Sequence, residues 1–210
     1  MADHPNLIIV RHPLLSDRLA HIRAKDTQPA EFRRLLNQVA TLMIYEACRH
    51  FETREQQVET PMEFTTVSVL SHEIVVVPIL RAGLGMIDGI LSIIPETKIG
   101  IMGLYRDEIT LKPIDYYRNL PANMANMDVL LVDPMLATGG SASAAAATLK
   151  KCGARRITMM SIIASPEGTE VMRRDHPDII IYTASLDREL NEKGYILPGL
   201  GDAGDRFFGT

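Results

Sequence analysis

Apolar positions in the first fifty residues recur every three or four. Leu15, Leu19 and Ile22 mark one helix across residues 14–26. Phe32, Leu35, Leu36, Val39, Leu42 and Met43 mark a second across 29–51, with Pro29 in its first turn, where proline is tolerated. These helices carry no obvious chemistry and read as packing, with subunit contact as a further use. After Pro61 the period changes. Residues 63–70 alternate in part and are rich in Thr and Val, which predicts a strand or hairpin arm. Strand-like runs at 74–80, 98–104, 129–132, 157–164 and 179–184 then alternate with helical stretches at 84–93, 142–151 and 169–175. The runs are continuously apolar and rich in β-branched residues, as in strands covered on both faces. The alternation predicts an α/β fold with a mostly parallel central sheet flanked by helices.

Length fits one domain spanning 1–210, with 1–60 as an N-terminal helical arm and 195–210 as a terminal cap. The cap is Gly-rich and shows neither helical nor strand periodicity. Residues 105–127 form the main irregular insert. Its polar, Tyr-rich composition predicts a hairpin or lid.

Composition removes several function classes. No apolar run reaches the roughly 20 residues needed to cross a bilayer. The N-terminus has no basic region followed by a long apolar core, so no secretory signal is expected, and two cysteines that read as free thiols favour a reducing cytoplasm. Cys48 and Cys152 lack metal-type spacing and read as free, buried thiols. The formal net charge of −4 argues against a sequence-independent nucleic-acid binder. No GxxxxGK[ST] loop is present. The run Gly83-x-Gly85-x-x-x-Gly89 is not a dinucleotide fingerprint, and His72-Glu73 lacks the second His of a zinc protease. His4, His12, His21, His50 and His176 read as solvated or structural.

The informative stretch is 129–141, Val-Leu-Leu-Val-Asp-Pro-Met-Leu-Ala-Thr-Gly-Gly-Ser. A buried strand ends at Asp133. A short loop closes with Thr138-Gly139-Gly140-Ser141, and an Ala-rich helix follows. A carboxylate there can accept from a pair of sugar hydroxyls. Glycines let the backbone approach a phosphate, and the helix start offers free N–H groups. Ligands of open α/β sheets bind beyond the carboxyl ends of the strands. Arg81, Arg106, Asp133, Asp187 and Arg188 follow strand-like runs and are expected to converge on that edge.

The 133–141 segment resembles the phosphoribosyl diphosphate (PRPP) motif of the type I phosphoribosyltransferases. Together with Leu80-Arg81-Ala82-Gly83-Leu84-Gly85, Gly199-Leu200-Gly201-Asp202-Ala203-Gly204-Asp205-Arg206 and His12-Pro13-Leu14, it is similar to the uracil phosphoribosyltransferases across essentially the whole chain. The resemblance implies the type I fold with a C-terminal uracil-binding hood, and transfer of ribose phosphate from PRPP to uracil. It implies Arg81 and Arg106 on the diphosphate, with Arg106 and Asp133 in catalytic roles. It places Asp133 under the ribose hydroxyls, and Pro134, Met135, Leu136, Ala137, Thr138, Gly139, Gly140 and Ser141 around PRPP. Tyr195, Ile196, Gly201, Asp202 and Ala203 would surround uracil, with Asp202 near the PRPP end. Most type I relatives carry two adjacent acids where this chain has Asp133-Pro134, a departure shared by uracil-specific members. Magnesium is therefore expected on the diphosphate, without direct protein ligands. A homodimer or higher oligomer and activation by GTP are further implications.

A purine or orotate phosphoribosyltransferase fits less well, because the second acid is missing and the Gly-rich C-terminus matches the uracil enzymes. A PRPP-fold RNA-binding regulator of pyrimidine genes is the rival from another class. It should present a basic surface, whereas this chain is acidic overall.

Overall fold

A computed structural model describes residues 5–106 and 113–210 of the chain. Strand β1 (Leu7–Ile9) is followed by helices α1 (Pro13–Arg23) and α2 (Pro29–Ala47). Strands β2 (Thr53–Glu59) and β3 (Phe64–Leu70) form a separate antiparallel hairpin. Next come β4 (Glu73–Leu80), a 3₁₀ turn (Ala82–Met86), α3 (Ile87–Leu91), β5 (Lys98–Ile99), β6 (Ile101–Arg106), β7 (Pro113–Asn119) and β8 (Met127–Val132). The chain continues through β9 (Met135–Leu136), α4 (Gly140–Lys151), β10 (Arg156–Ala164), α5 (Pro166–Asp175) and β11 (Ile180–Leu186). Strands β12 (Glu189–Leu190) and β13 (Ile196–Leu197) and helix α6 (Ala203–Phe208) complete it.

The main sheet runs β1-β11-β10-β8-β4-β6-β7. Every pair along it is parallel except β6 with β7. Side chains alternate between its faces, as a period of two requires. Val76, Leu130, Val132, Met160, Ile162 and Tyr182 pack under α1 and α2. Val75, Val77, Val129, Leu131, Met159 and Ile181 pack under α4 and α5. Two covered faces explain the unbroken apolar runs. Because the central strands are parallel, Leu80, Val132, Ala164 and Leu186 all end at one edge.

Several boundaries differ from the sequence expectation. Helix α2 stops at Ala47, and residues read as its last turn lead into β2, whose polar residues gave no strand signal. Its exposure on nearly every position explains why. The stretch at 84–93 is divided between the 3₁₀ turn and the short α3. The insert is a hairpin in the described part, through pairing of β6 with β7. Residues 107–112 lie outside the described residues, so the lid expectation does too. Both cysteines are free, but Cys152 is exposed at the α4 C-cap, not buried. Cys48 is half-buried, and burial pushes its thiol up to about 12.

Candidate active site

Proline 134 creates the central feature. Asp133 N–H still donates to Met160 O at 3.2 Å, in line with the sheet. Pro134 has no N–H and cannot continue the ladder. The chain steps out there and resumes as β9, which pairs with Ile163 and Ala164 of β10. The Pro134 carbonyl is held by the N–H groups of Ile162 and Ile163 at 3.1 and 3.0 Å. Asp133 is thus displayed at the break, accepting only from Met135 N–H at 3.2 Å among side-chain contacts of the described residues. Burial pushes its carboxyl up to about 7; the Met135 amide opposes this and the nearby charge of Asp202 adds to it.

The loop beyond β9 curls into α4. Gly139 is the N-cap, with φ of 77°, a left-handed conformation that favours glycine. A Cβ there would lie 2.8 Å from Gly168 O and from the Val171 side chain. The loop is braced from behind by Ser165, whose hydroxyl donates to Ala137 O at 2.6 Å while accepting from Gly168 N–H at 2.9 Å. The first amides of α4 have no partner inside the helix. They open on a cleft of about 170 Å³ lined by Asp133, Thr138, Gly139, Ser141, Lys193 and Gly194, among others.

A second cleft of about 250 Å³ adjoins it and shares Asp133, Met135, Ala137 and Gly194. Its other walls are Ala82, Tyr195, Ile196, Gly201, Asp202, Ala203 and Gly204. Here the C-terminal cap has regular structure after all. β12 pairs with β13, and Asp202 caps α6 by accepting from Asp205 N–H at 2.9 Å. These elements are two and six residues long, too short to announce themselves as periodicity. In the β12–β13 ladder the carbonyls of Leu197 and Tyr195 accept from Arg188 and Asn191 N–H at 3.0 and 2.8 Å. Alternation along a strand therefore turns the intervening Ile196 carbonyl away from the ladder.

The structure brings together Asp133, Met135–Gly139, Ser141 and the predicted hood residues. Gly140 lies in the first turn of α4, and Pro134 acts through the backbone. Arg81 stands at the rim, 3.4 Å from Asp205. Arg106 ends β6, which is parallel to β4, so its backbone reaches the same edge; its side chain lies outside the described set. Asp187 does not join the cleft but pairs with Arg23, and exposed Arg188 pairs with Glu189. Sequence reading missed Lys193, Gly194, Ser165 and Gly168. Only the Asn191–Gly194 turn signal could have flagged the first two. His50 and His176 are structural: His50 meets Thr158 and Tyr182 hydroxyls, and His176 meets Ser143.

The profile of the uracil phosphoribosyltransferase family matches residues 9–210. The chain belongs to that family. Uracil phosphoribosyltransferase of Dictyoglomus turgidum is 51% identical over 205 residues, covering 97% of this chain and 99% of the relative. That of Bacillus pumilus is 54% identical over 200 residues, covering 95% and 96%. Among solved structures, the AQ2163 protein from Aquifex aeolicus superposes with a TM-score of 0.90 at 35% identity, covering 96% of this chain and 97% of that one. A hypoxanthine-guanine phosphoribosyltransferase from Bacillus anthracis reaches a TM-score of 0.54 at 15% identity, covering 80% and 85%; this is a likeness of fold. The RNA-binding alternative finds no support in these matches. Among the described residues no helix is long and apolar enough to cross a membrane.

Proposed function

We propose that this chain transfers the 5-phosphoribosyl group of PRPP to uracil, giving UMP and diphosphate, in pyrimidine salvage. The observation that carries this reading is the shared wall of the two clefts: a phosphate loop and a base-sized recess meet at Asp133. A sugar bridging them would put its 5′-phosphate on the α4 amides and its C1 toward the hood.

C1 loses diphosphate and gains N1 of uracil, and positive charge develops on the ribose ring. Ionised Asp133 beneath the ring accepts from its hydroxyls and favours that charge. The amides of residues 137–141 and the Thr138 and Ser141 hydroxyls hold the 5′-phosphate, with Lys193 as a further cation. Arg81 and Arg106 take the diphosphate. Tyr195 and the backbone of Ile196, Gly201 and Ala203 enclose the base, with Asp202 at its PRPP end. Catalysis then rests on positioning, neutralisation of the leaving group and exclusion of water.

Magnesium, bound through the diphosphate of PRPP, would supply positive charge beside Arg81 and Arg106 at the leaving group. Among the described residues no group of three or more His, Cys, Asp or Glu is placed to hold a metal. The carboxylates lining the two clefts are Asp133 and Asp202. A homodimer or larger assembly and GTP activation complete the reading by family resemblance alone, and a cytoplasmic location by the free thiols.

The test is radiolabelled uracil with PRPP and magnesium, with UMP as the readout and GTP added in a parallel arm. Orotate, hypoxanthine and cytosine serve as competing bases. UMP formation supports the reading; transfer to another base in preference to uracil overturns it.

A further inference from the structure

The N-terminal arm carries no chemistry legible in the sequence, yet one of its side chains crosses to the hood. Arg23, the last residue of α1, grips Asp187 through both nitrogens, with Nη1 2.7 Å from Oδ2 and Nη2 2.6 Å from Oδ1. Asp187 follows β11 and its side chain is 3% exposed. The same carboxylate accepts from Gly199 N–H at 2.8 Å and from the Ser185 hydroxyl at 2.7 Å. Arg23 Nη1 also donates to Gly199 O at 2.7 Å. Both backbone groups of Gly199 are therefore held by one ion pair.

Gly199 in turn lies against the Ile196 carbonyl. Its φ is +61°, and a Cβ would sit 2.2 Å from Ile196 O. Where Gly199 sits thus decides how the loop wraps that carbonyl and where Gly201–Ala203 begin. A second arginine repeats the tie in reverse. Arg206 of α6 donates to Ile22 O, Ala24 O and Leu200 O at 2.7, 2.6 and 2.7 Å. The loop is docked onto the end of α1 from both sides.

We propose that Arg23 and Asp187 are positioning residues for pyrimidine recognition, fixing Gly199 and through it the base-reading backbone of Ile196 and Gly201–Ala203. The proposal rests on the reading of 195–205 as the uracil hood. Neither residue lines the cleft. Burial pushes the Asp187 carboxyl up, but Arg23, Ser185 and the Gly199 amide together hold it below the usual carboxylate range. All its partners are donors, so an amide in its place sets donor against donor.

The experiment compares Asp187→Asn, Arg23→Lys and Ala203→Pro in the full chain by steady-state kinetics with each substrate varied. Asp187→Asn is expected to raise KM for uracil about tenfold or more and leave KM for PRPP within about twofold, the signature of a misplaced reader. Arg23→Lys keeps the charge but cannot span Asp187 and Gly199 together, so it falls between. An unchanged uracil KM, or equal rises in both KM values, overturns the proposal. If Asp187→Asn does not fold, Arg23→Lys decides by the same criteria. Ala203→Pro separates the two readings. A uracil KM unmoved by it removes the hood itself, whereas a rise there with no response to the other two variants removes only the Arg23–Asp187 clamp.

Discussion

Arg81 Nη2 lies 3.4 Å from Asp205 Oδ1, so the arginine that follows β4 is tied to the helix whose first residues wall the second cleft. Its guanidinium also stands 5.4 Å from the centre of the Phe208 ring. Both charged side chains are more than half exposed, at 61% and 52%. Such an ion pair is worth about 0–1 kcal/mol and is easily given up for a polyanion.

Arg81→Ala is therefore expected to raise KM for PRPP by about 10- to 100-fold, the loss of a hydrogen-bonded charge contact. Asp205→Asn removes the competing carboxylate and should leave that KM unchanged or lower it. Initial rates with PRPP varied check both. A wild-type KM in Arg81→Ala would take this residue off the diphosphate.

Asp133 is expected to set the acid limb of the pH profile. Its carboxyl is raised from 3.8 to about 7, mainly by burial, so it is protonated below that pH in the free enzyme. The ionised form is the one that accepts from hydroxyls and favours a cation. Hence kcat/KM for PRPP should fall about tenfold per pH unit well below pH 7. The sign for stability is opposite. The folded state holds a proton that the unfolded chain has released, so substrate-free stability declines as pH rises from about 4 to about 7. Rate profiles and thermal melts across that range give the two readouts; a flat rate profile down to pH 5 contradicts the first.

Asp133→Asn keeps the size and loses the charge. Turnover should drop by about 10²-fold or more if electrostatic stabilisation dominates. Since the raised carboxyl is a burial cost, the variant should melt no lower than the wild type at pH 8. Near-normal kcat in a folded variant would exclude Asp133 from the mechanism.

Base choice is expected to rest on backbone groups. The Ile196 carbonyl is expected to accept N3–H of uracil, with amides near Gly201 and Ala203 donating to its oxygens. Cytosine reverses the N3 and C4 contacts and should lose about 10⁴-fold in kcat/KM. Ala203 is the first residue of α6, where a proline fits the backbone and the missing N–H costs the helix nothing. Ala203→Pro should thus impair uracil use more than PRPP binding. Comparable kcat/KM for cytosine and uracil would end the backbone-hood account.

Gly139→Ala tests the phosphate loop. A left-handed alanine costs about 1–2 kcal/mol, and its Cβ would also press on Gly168 O. A lower melting temperature and a weaker grip on PRPP should appear together. A variant that binds PRPP normally would show the loop tolerant of displacement there.

Strand and helix periods were enough to foresee the mostly parallel sheet, and the Asp133–Ser141 loop between them marked most of the residues that line the first cleft, though not Lys193 and Gly194. These signals are local: a buried strand needs a continuous apolar run, and a phosphate loop needs glycine before a helix. The polar strand β2 was invisible because nearly every position in it is exposed, and the short β13 and α6 because few residues leave no period to read. Partners far apart in sequence were decided only by the folded chain. Nothing near Arg23 points to Asp187, 164 residues away, and nothing near Ala137 points to Ser165. Asp133 shows the division most plainly. Its place after a strand is written in the sequence, but its raised carboxyl comes from burial and from Asp202, which only packing brings close.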